Sequence, residues 1–424
     1  MNESQQPSRR TFLKRSAASA AAASMAGSLS VGRSAHAASS DELKVAIIGC
    51  GGRGTGAVDN CLKSVDNVKL IAVADAFEDR AQRCANHARG KFKDKVDLPD
   101  ERIFVGFDAY QKAIDSGADV VLMATPPGFR PIHYKAAIEA GKHVFMEKPC
   151  CVDAPGYRTL LEANKMADEK NLKVVVGLQR RHSQSYIEGV KRIQDGEIGD
   201  FMFSRVYWNS GGVWVRGRQP NQTEMEYQMQ NWYYFVWLCG DHIAEQHVHN
   251  MDISNWVKGA HPVEANGMGG RQVRTQKDTG QIYDHFFTEF TYADGTKMYS
   301  QCRHIRGCWN SASETFHGTK GVSGARSGRD RKNPYDQEHI DLFDAIRNDT
   351  ACNEGWYGAD SSFTAVLGRM ACYSGQIVKW DDAVAKGPSE MPEKFAWDAD
   401  PPVLPDENGM YDHAVPQPGT YKPY

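Results

Sequence analysis

The sequence predicts an α/β protein with two sheets: a doubly wound parallel sheet, followed by an α+β domain with a large, open and mainly antiparallel sheet. In the first part, short β-branched apolar runs alternate with helical segments, which is the pattern of buried parallel strands joined by crossover helices. These runs cover residues 43–48, 68–74, 118–124 and 143–146. From about Asn164 the pattern changes to that of an open sheet. Strand candidates there cover residues 173–176, 201–208, 286–292 and 297–303.

The composition excludes one class of partner. Hydrophobic residues make up 41% and charged residues 24% of the 424-residue chain, as in an ordinary globular protein of two or more domains. Removing residues 1–37 takes away five basic residues and one acidic residue, which leaves 45 basic and 52 acidic residues and a formal charge of −7. This balance lacks the basic surface that nucleic-acid binding requires. The ten cysteines form no Cys-x-x-Cys pair, so we expect free, mostly buried thiols.

The first 37 residues read as an export signal. Residues 8–14 are Ser-Arg-Arg-Thr-Phe-Leu-Lys, an Ala-rich stretch follows, and Ala35-His36-Ala37 offers a cleavage site. This is the order of a twin-arginine (Tat) signal peptide, and the apolar stretch is too short and too Ser-rich for a stable membrane anchor. We therefore predict a periplasmic protein that keeps no membrane anchor after cleavage.

A glycine-rich turn follows the first predicted strand. It reads Gly49-Cys50-Gly51-Gly52-Arg53-Gly54 and opens a helical stretch, which is the dinucleotide-binding fingerprint of a Rossmann domain. Gly49 makes the tight turn, Gly51 lets the backbone approach a pyrophosphate, and Gly54 lets the helix and strand pack closely. The pyrophosphate is expected at the helix N-terminus beside Gly52 and Arg53, where free N–H groups favour anions.

Further polar residues follow the other strands of this half, at the edge where doubly wound sheets bind ligands. Asp75 ends the second strand, where its carboxylate accepts hydrogen bonds from the ribose and repels a 2′-phosphate, so NAD is favoured over NADP. Thr125 and Pro126 follow the third strand, and Glu147 and Lys148 follow the fourth. All are predicted to bind the cofactor.

These residues resemble one known family. The glycine turn, Asp75, the Ala124–Pro127 turn with His133, and above all Gly141–Pro149 (GKHVFMEKP) are similar to the Gfo/Idh/MocA family, which includes glucose–fructose oxidoreductase and inositol dehydrogenase. Residues 176–181 and 196–199 stand where that family opens its sheet domain. The resemblance implies that Lys148 is the catalytic lysine. It also implies a homo-oligomer, dimer or tetramer, formed through the open face of the second sheet.

Residues 239–257 are predicted to form one helix that carries a polar stripe. At 100° per residue the stripe contains Asp241, Glu245, His249 and Asp252, a grouping that suggests a functional surface. The family has Asp-x-x-x-His here with an Asp three residues later, so Glu245 departs from its pattern. A metal site and a structural polar network remain alternatives, but there is no His-Glu-x-x-His and His247 points away, so we predict no metal.

The predicted chemistry is hydride transfer from a carbinol carbon. Lys148 would supply a positive charge and His249, tuned by Glu245 or Asp241, would take the hydroxyl proton. Candidates for contact with the carbohydrate substrate are His182, Trp208, Asn209, Trp232 and Tyr233.

Export constrains the function. Little free NAD exists outside the cytoplasm, so we predict a tightly bound, recycled cofactor in an oxidoreductase for a sugar, glycoside or polyol. The alternative is an NAD-dependent glycosidase or lyase that acts through a transient 3-keto sugar. A non-catalytic binding protein is a third class, which the set of Lys148, Glu245 and His249 disfavours.

The chain thus divides into four predicted segments. These are the signal peptide at 1–37, the NAD(P)-binding Rossmann domain at 41–163, the α+β substrate and oligomerisation domain at 164–385, and a tail at 386–424. The tail holds eight of the 18 prolines, so it cannot form long regular elements. It is expected to wrap the surface or to reach a neighbouring subunit.

Overall fold

A computed structural model describes residues 42–424, and the predicted signal peptide at 1–37 lies outside the described residues. A six-stranded parallel sheet comes first, with strand order β3-β2-β1-β4-β5-β6. Its strands are β1 (Leu43–Ile48), β2 (Val68–Asp75), β3 (Ile103–Val105), β4 (Val120–Met123), β5 (His143–Met146) and β6 (Val174–Val176). The predicted doubly wound parallel sheet is confirmed.

Helices cover both faces of this sheet because its strands are apolar on both sides. Along β1, Val45 and Ile47 pack into one core, and Ala46 and Ile48 pack into the other. The helices are α1 (Gly52–Ser64), α2 (Glu78–Lys91), α3 (Ala109–Ile114), α4 (Arg130–Glu139) and α5 (Ala154–Glu169).

The parallel sheet extends further along the chain than predicted. The run at 173–176, expected in the second sheet, forms β6 and pairs with β5. A late helix, α11 (Pro334–Arg347), also joins this half: Leu342 and Phe343 enter its core, and Asp336 accepts a hydrogen bond from Asn60 of α1 at 2.7 Å. The apolar run decided that residues 173–176 form a strand, but only tertiary pairing decided in which sheet.

The second sheet has seven strands in the order β12-β11-β7-β10-β9-β8-β13. All neighbours are antiparallel except the parallel pair β7 and β10, so the predicted mainly antiparallel sheet is confirmed. The strands are β7 (Phe201–Ser210), β8 (Glu264–Gly270), β9 (His285–Thr291), β10 (Lys297–His304), β11 (Ser311–Gly318), β12 (Gly321–Ser323) and β13 (Val378–Lys379). The remaining helices are α6 (Gln184–Gln194), α7 (Glu224–Gln230), α8 (Val236–Cys239), α9 (His242–Glu245), α10 (Val248–Lys258), α12 (Gly355–Ser374) and α13 (Trp380–Lys386).

The single helix predicted over residues 239–257 is wrong. The segment is divided into α8, α9 and α10, and the break between α8 and α9 lies at Gly240 and Asp241, which both adopt positive φ, +73° and +70°. Gly240 ends α8 in a left-handed cap. Asp241 then accepts a hydrogen bond from the backbone N–H of His242, which starts α9.

The tail lies along its own chain. Tyr283 Oη donates to the carbonyl of Pro416 at 2.6 Å, and the Gly419 N–H donates to the carbonyl of Ser374 at 2.9 Å. Within the described chain, no helix is long and apolar enough to cross a bilayer.

Candidate functional site

A cavity of about 980 Å³ lies beside the carboxyl ends of the parallel strands and is closed on the other side by the second domain. This is at the upper end of the volume range of small-molecule sites, about 300–1,000 Å³. Many of the residues predicted from the sequence line it. They are Gly49, Gly51, Gly52, Arg53, Asp75, Thr125, Pro126, Glu147, Lys148, Trp208, Trp232, Glu245 and His249.

The glycine turn builds one end of the cavity. A Cβ on Gly54 would lie 1.7 Å from the carbonyl oxygen of Gly49, so only glycine lets α1 start this close to β1. Gly49 itself has φ +93°, and a Cβ there would lie 2.5 Å from the Thr125 nitrogen. By contrast, nothing lies within 4 Å of a Cβ on Gly51 or Gly52. The space in front of the α1 N-terminus is therefore open to a pyrophosphate.

Asp75 is held by the backbone around it. Its Oδ2 accepts from the Cys50 N–H at 2.6 Å, and its Oδ1 accepts from the Phe77 N–H at 2.9 Å. Burial raises the pKa of this carboxyl, and the two N–H groups oppose the shift. Each oxygen retains a second lone pair for a ribose hydroxyl.

Two arginines also face the Asp75 end of the cavity. Arg80, from α2, stacks over the Phe77 ring at 4.5 Å, and Arg216, from the loop after β7, lies 4.9 Å over Trp214. Neither guanidinium forms an ion pair within 4 Å among residues 42–424. The charge here is therefore mixed: one carboxylate and two unpaired cations, with a third arginine, Arg83, that lines the cavity and pairs with Asp79 at 2.7 Å.

Lys148 and Glu245 meet at the opposite end. The ammonium of Lys148 donates to the backbone carbonyl of Glu245 at 2.6 Å and lies 3.2 Å from its Oε1. The residue after Lys148, Pro149, is held by Arg130, a buried guanidinium that donates to its carbonyl. Glu147 forms an ion pair with Arg53 at 3.0 Å and so links the glycine turn to this end.

His249 lies beside this pair, on the first turn of α10. Burial lowers the pKa of its imidazole well below the usual 6.5, and the charges of Lys148 and Arg180 add to that effect. Its Nδ1 and the Oε2 of Glu245 are buried, and neither has a hydrogen-bond partner in the described structure. A neutral imidazole and a free carboxylate oxygen are thus both available to a ligand hydroxyl.

Asp241, predicted to tune His249, does not line the cavity. It is fully buried, it pairs with His242 Nδ1 at 2.9 Å, and it accepts from Tyr373 Oη at 2.5 Å and from the Tyr283 N–H at 2.8 Å. The break at Gly240 turns the Asp241 side chain away from the cavity. Asp241 is therefore removed from the predicted catalytic set.

Asp252, the last residue of the predicted stripe, does not line the cavity either. Asp252 forms an ion pair with Arg181 at 2.8 Å and accepts from Ser361 at 2.7 Å. Nowhere within residues 42–424 do three or more His, Cys, Asp or Glu side chains group as a metal site would require.

The predicted substrate residues divide into two groups. Trp208 and Trp232 lie on the cavity wall, whereas His182, Asn209 and Tyr233 are buried behind it. His182 contacts Asp341 at 2.6 Å and Glu354 at 3.3 Å. Burial lowers the pKa of His182, but these carboxylates outweigh it and bring the value to about 10.

Several lining residues escaped the sequence analysis. Phe77 and Phe107 follow β2 and β3, so their place after strands was the signal that could have revealed them. Trp214 and Arg216 come from a long irregular loop, which carries no periodic pattern to place them.

The Rossmann half of the chain is similar in sequence to known proteins. Residues 43–178 match the family described as "Oxidoreductase family, NAD-binding Rossmann fold", GFO_IDH_MocA. A scyllo-inositol 2-dehydrogenase (NAD(+)) of Bacillus subtilis (strain 168) is 26% identical over 232 residues, 54% of this chain and 57% of that protein. An inositol 2-dehydrogenase of Klebsiella pneumoniae (strain 342) is 30% identical over 157 residues, 37% of this chain and 43% of that protein. The chain thus spans about half the length of the curated relatives it matches.

The second domain is similar to a solved structure in its fold. A crystal structure of scyllo-inositol dehydrogenase from Lactobacillus casei, with bound NAD(H) and scyllo-inositol, superposes with a TM-score of 0.61 at 18% identity, over 80% of this chain and 99% of that one. Both sheets therefore have counterparts in a solved dehydrogenase. Over residues 43–178, this chain is similar to the Gfo/Idh/MocA oxidoreductase family.

Proposed function

We propose that this protein is an NAD(P)-dependent oxidoreductase that removes hydride from a carbinol carbon of a sugar, glycoside or polyol. One observation carries the proposal: a single cavity has an open glycine turn at one end and Lys148, Glu245 and His249 at the other. The relatives with inositol dehydrogenase names support a polyhydroxylated substrate.

The residues suggest a division of roles. A bound nicotinamide nucleotide would supply the hydride acceptor, held at Gly51 and Gly52. The Lys148 ammonium, fixed against Glu245, stabilises negative charge that develops on the substrate oxygen. The neutral imidazole of His249 accepts the hydroxyl proton, and Glu245 Oε2 is placed to accept from a second hydroxyl. Trp208 and Trp232 offer flat apolar faces to a sugar ring.

We further propose that the nucleotide is NAD(H), because Asp75 lies where the ribose hydroxyls would be. The unpaired Arg80 and Arg216 make NADP(H) the competing candidate, since either cation could pair with a 2′-phosphate. Binding of each nucleotide, measured by the rise in melting temperature, decides between them. A larger rise with NADP would overturn the NAD assignment.

The nucleotide is proposed to stay bound through the catalytic cycle. This follows from the twin-arginine pattern at residues 8–14, because that route exports folded proteins and little free nucleotide awaits them. The test is to purify and dialyse the protein, denature it and identify what is released. Near-stoichiometric NAD(H) supports a redox-neutral cycle, and an empty protein with weak affinity for added nucleotide contradicts it.

A glycosidase or lyase acting through a 3-keto sugar would use the same residues. Incubation of the nucleotide-loaded protein with simple glycosides separates the two activities. Release of the aglycone identifies bond cleavage, whereas an oxidised sugar that keeps its aglycone identifies an oxidoreductase.

A further inference from the structure

The C-terminal tail packs directly behind one wall of the cavity. We call residues 389–419 the C-terminal strap. Its Trp397 ring lies 5.0 Å from the ring of Phe77 and 4.6 Å from that of Phe107, and Phe395 lies 5.3 Å from Phe129. All three phenylalanines line the cavity, on the Rossmann side. The strap therefore fixes the side chains that face the Asp75 end of the cofactor site.

The same strap also holds the opposite wall. Tyr411, 1% exposed, donates its hydroxyl to Glu224 at 2.5 Å and accepts from Arg218 at 3.2 Å. Arg218 and Glu224 flank the end of the loop that places Trp214 and Arg216 on the cavity wall. Both walls of the cofactor site thus depend on one continuous stretch of chain.

The strap is anchored outside these two contacts as well. Toward its start, the Glu390 N–H donates to Asp153 at 2.8 Å, and its carboxylate pairs with Arg369 at 2.8 Å. Toward its end, the Gly419 N–H donates to the Ser374 carbonyl at 2.9 Å. Because both ends are held, the strap cannot leave either wall by fraying from one side.

We propose that the C-terminal strap joins the two walls of the cofactor cavity and thereby sets how slowly the nucleotide leaves. Trp397 is a positioning residue that acts through Phe77 and Phe107 and does not itself line the cavity. Opening the site requires the two walls to separate, and the strap opposes that motion at both of them. This inference rests on the proposed nucleotide-binding function and adds the device by which the nucleotide is retained.

The test measures release of bound nucleotide from the full chain after addition of excess free nucleotide. Trp397→Ala removes both ring contacts, so release is expected to be faster by about tenfold, the effect of losing one to two aromatic contacts. Trp397→Phe keeps a ring in place and should restore most of the slow release. The matched control is Trp356→Ala, because Trp356 is 40% exposed on α12 and donates to Asp168, away from the strap.

A second variant tests the other wall without disturbing the core. Tyr411→Phe removes the hydroxyl bonded to Glu224 and Arg218 but keeps the ring, which lies 5.1 Å from Phe235. It should also speed release, with little change in the melting temperature of the nucleotide-free protein. A purely structural strap would lower that temperature and leave the release rate unchanged, which would overturn the inference.

The outcomes of these tests distinguish failure of this inference from failure of the proposed nucleotide-binding function. If the wild type and both variants bind nucleotide and release it at one rate, the strap has no role in retention and the oxidoreductase proposal stands. If the wild type binds neither NAD nor NADP, the proposed function itself fails. Faster release in both variants, with slow release in Trp356→Ala, supports the inference.

Discussion

Lys148 is held by two different acceptors on one residue. Its ammonium bonds both the backbone carbonyl and the carboxylate of Glu245, and its side chain is only 13% exposed. The backbone bond does not depend on the protonation of any side chain. The position of the charge is therefore set by α9 as well as by the Glu245 side chain, which favours a pre-organised role over a flexible one.

Replacing this lysine should abolish most activity without emptying the site. Lys148→Met is expected to lower kcat/KM for the oxidised substrate by about 10²–10⁴-fold, the usual range for a lost acid–base or electrostatic group. Nucleotide binding, followed by melting temperature, should persist because the glycine turn is intact. Lys165→Met is the control, as Lys165 is 77% exposed and pairs only loosely with Glu169. Full activity in Lys148→Met would rule out its assigned role.

The close approach of helix α1 to strand β1 requires a residue without a side chain at position 54, which is Gly54. Gly54→Ala would place a Cβ 1.7 Å from the Gly49 carbonyl, so the helix start must shift by more than an ångström. We expect this variant to be destabilised by at least about 2 kcal/mol, as for overpacked cores, and to lose nucleotide affinity. Urea unfolding and nucleotide titration measure the two effects.

The matched control for this change is Gly90→Ala. Gly90 lies inside α2, and nothing lies within 4 Å of an added Cβ. This substitution should stabilise the protein by about 0.5–1 kcal/mol, because alanine loses less backbone entropy in a helix. Equal effects of the two substitutions would mean that the close approach at Gly54 is unimportant.

Elements whose signal is local could be predicted from the sequence. The strands of the parallel sheet, the glycine turn and the Glu147-Lys148 pair all lie where their runs and turns indicate. The segment after Cys239 could not be predicted, because a left-handed Asp241 is stabilised by Tyr283 and Tyr373 from distant parts of the chain. Periodicity alone continued the helix and placed Asp241 beside His249.

Long-range packing explains the other differences in the same way. The predicted substrate role of His182 assumed that this residue lies in an open loop. In the structure, its ring contacts Asp341 and Glu354, which are more than 150 residues away in the sequence. The strap's contacts with Phe77 and Phe107 likewise join residues that share no local pattern. Such contacts join residues that are distant in the sequence and form only in the folded protein. A single sequence therefore carries no direct signal of them.

The molecule as a whole buries many neutral histidines. Burial lowers the pKa of His133, His247 and His339 to about 3 and that of His143 to about 4, and it also lowers the pKa of His242, His249 and His304. Their unfolded pKa is about 6.5. They therefore stabilise the fold above pH 6.5, and this contribution is lost as pH falls towards 3. His182 has a raised pKa and acts in the opposite sense. Its contribution to stability is present below pH 6.5 and is lost as pH rises through about 10.

Acid should therefore destabilise this protein more steeply than carboxylates alone would predict. The free energy of unfolding is expected to fall between pH 6.5 and 4, by about 1.4 kcal/mol per pH unit for each histidine that gains a proton only on unfolding. His339→Phe should remove one such increment, since this ring packs 4.3 Å from Phe145 and neither nitrogen has a described partner. Urea unfolding at several pH values tests this, with exposed His413→Gln as control. An unchanged slope in His339→Phe would contradict it.

The outer face of the second sheet carries a row of four side chains across four strands, three of them apolar or aromatic and one, Gln301, polar. Met268, Phe287, Gln301 and Tyr207 are successive cross-strand neighbours, and Met268 is 74% exposed. Patches of this kind mark interaction surfaces. The row supports the proposal that copies of this chain associate through the sheet as a dimer or tetramer.

Light scattering after gel filtration tests that proposal. Phe287→Glu places a charge within the row and should convert the oligomer to a smaller species. Ile187→Glu is the matched control, because Ile187 is 37% exposed on α6, away from the row. A wild type that is monomeric at micromolar concentration would contradict an oligomer built on this face.

The first domain is completed by α11, a helix that is synthesised long after the rest of that domain. Asn60 and its partner Asp336 are 276 residues apart, so at about 5–20 residues per second the ribosome needs roughly 14–55 s to produce the second after the first. During that interval the outer side of α1 has no cover from Leu342 and Phe343. A nascent chain of this protein therefore exposes part of its parallel-sheet domain until α11 has been synthesised. Holding chaperones are expected to engage that surface, and premature termination before residue 334 should give aggregates in place of a free-standing domain.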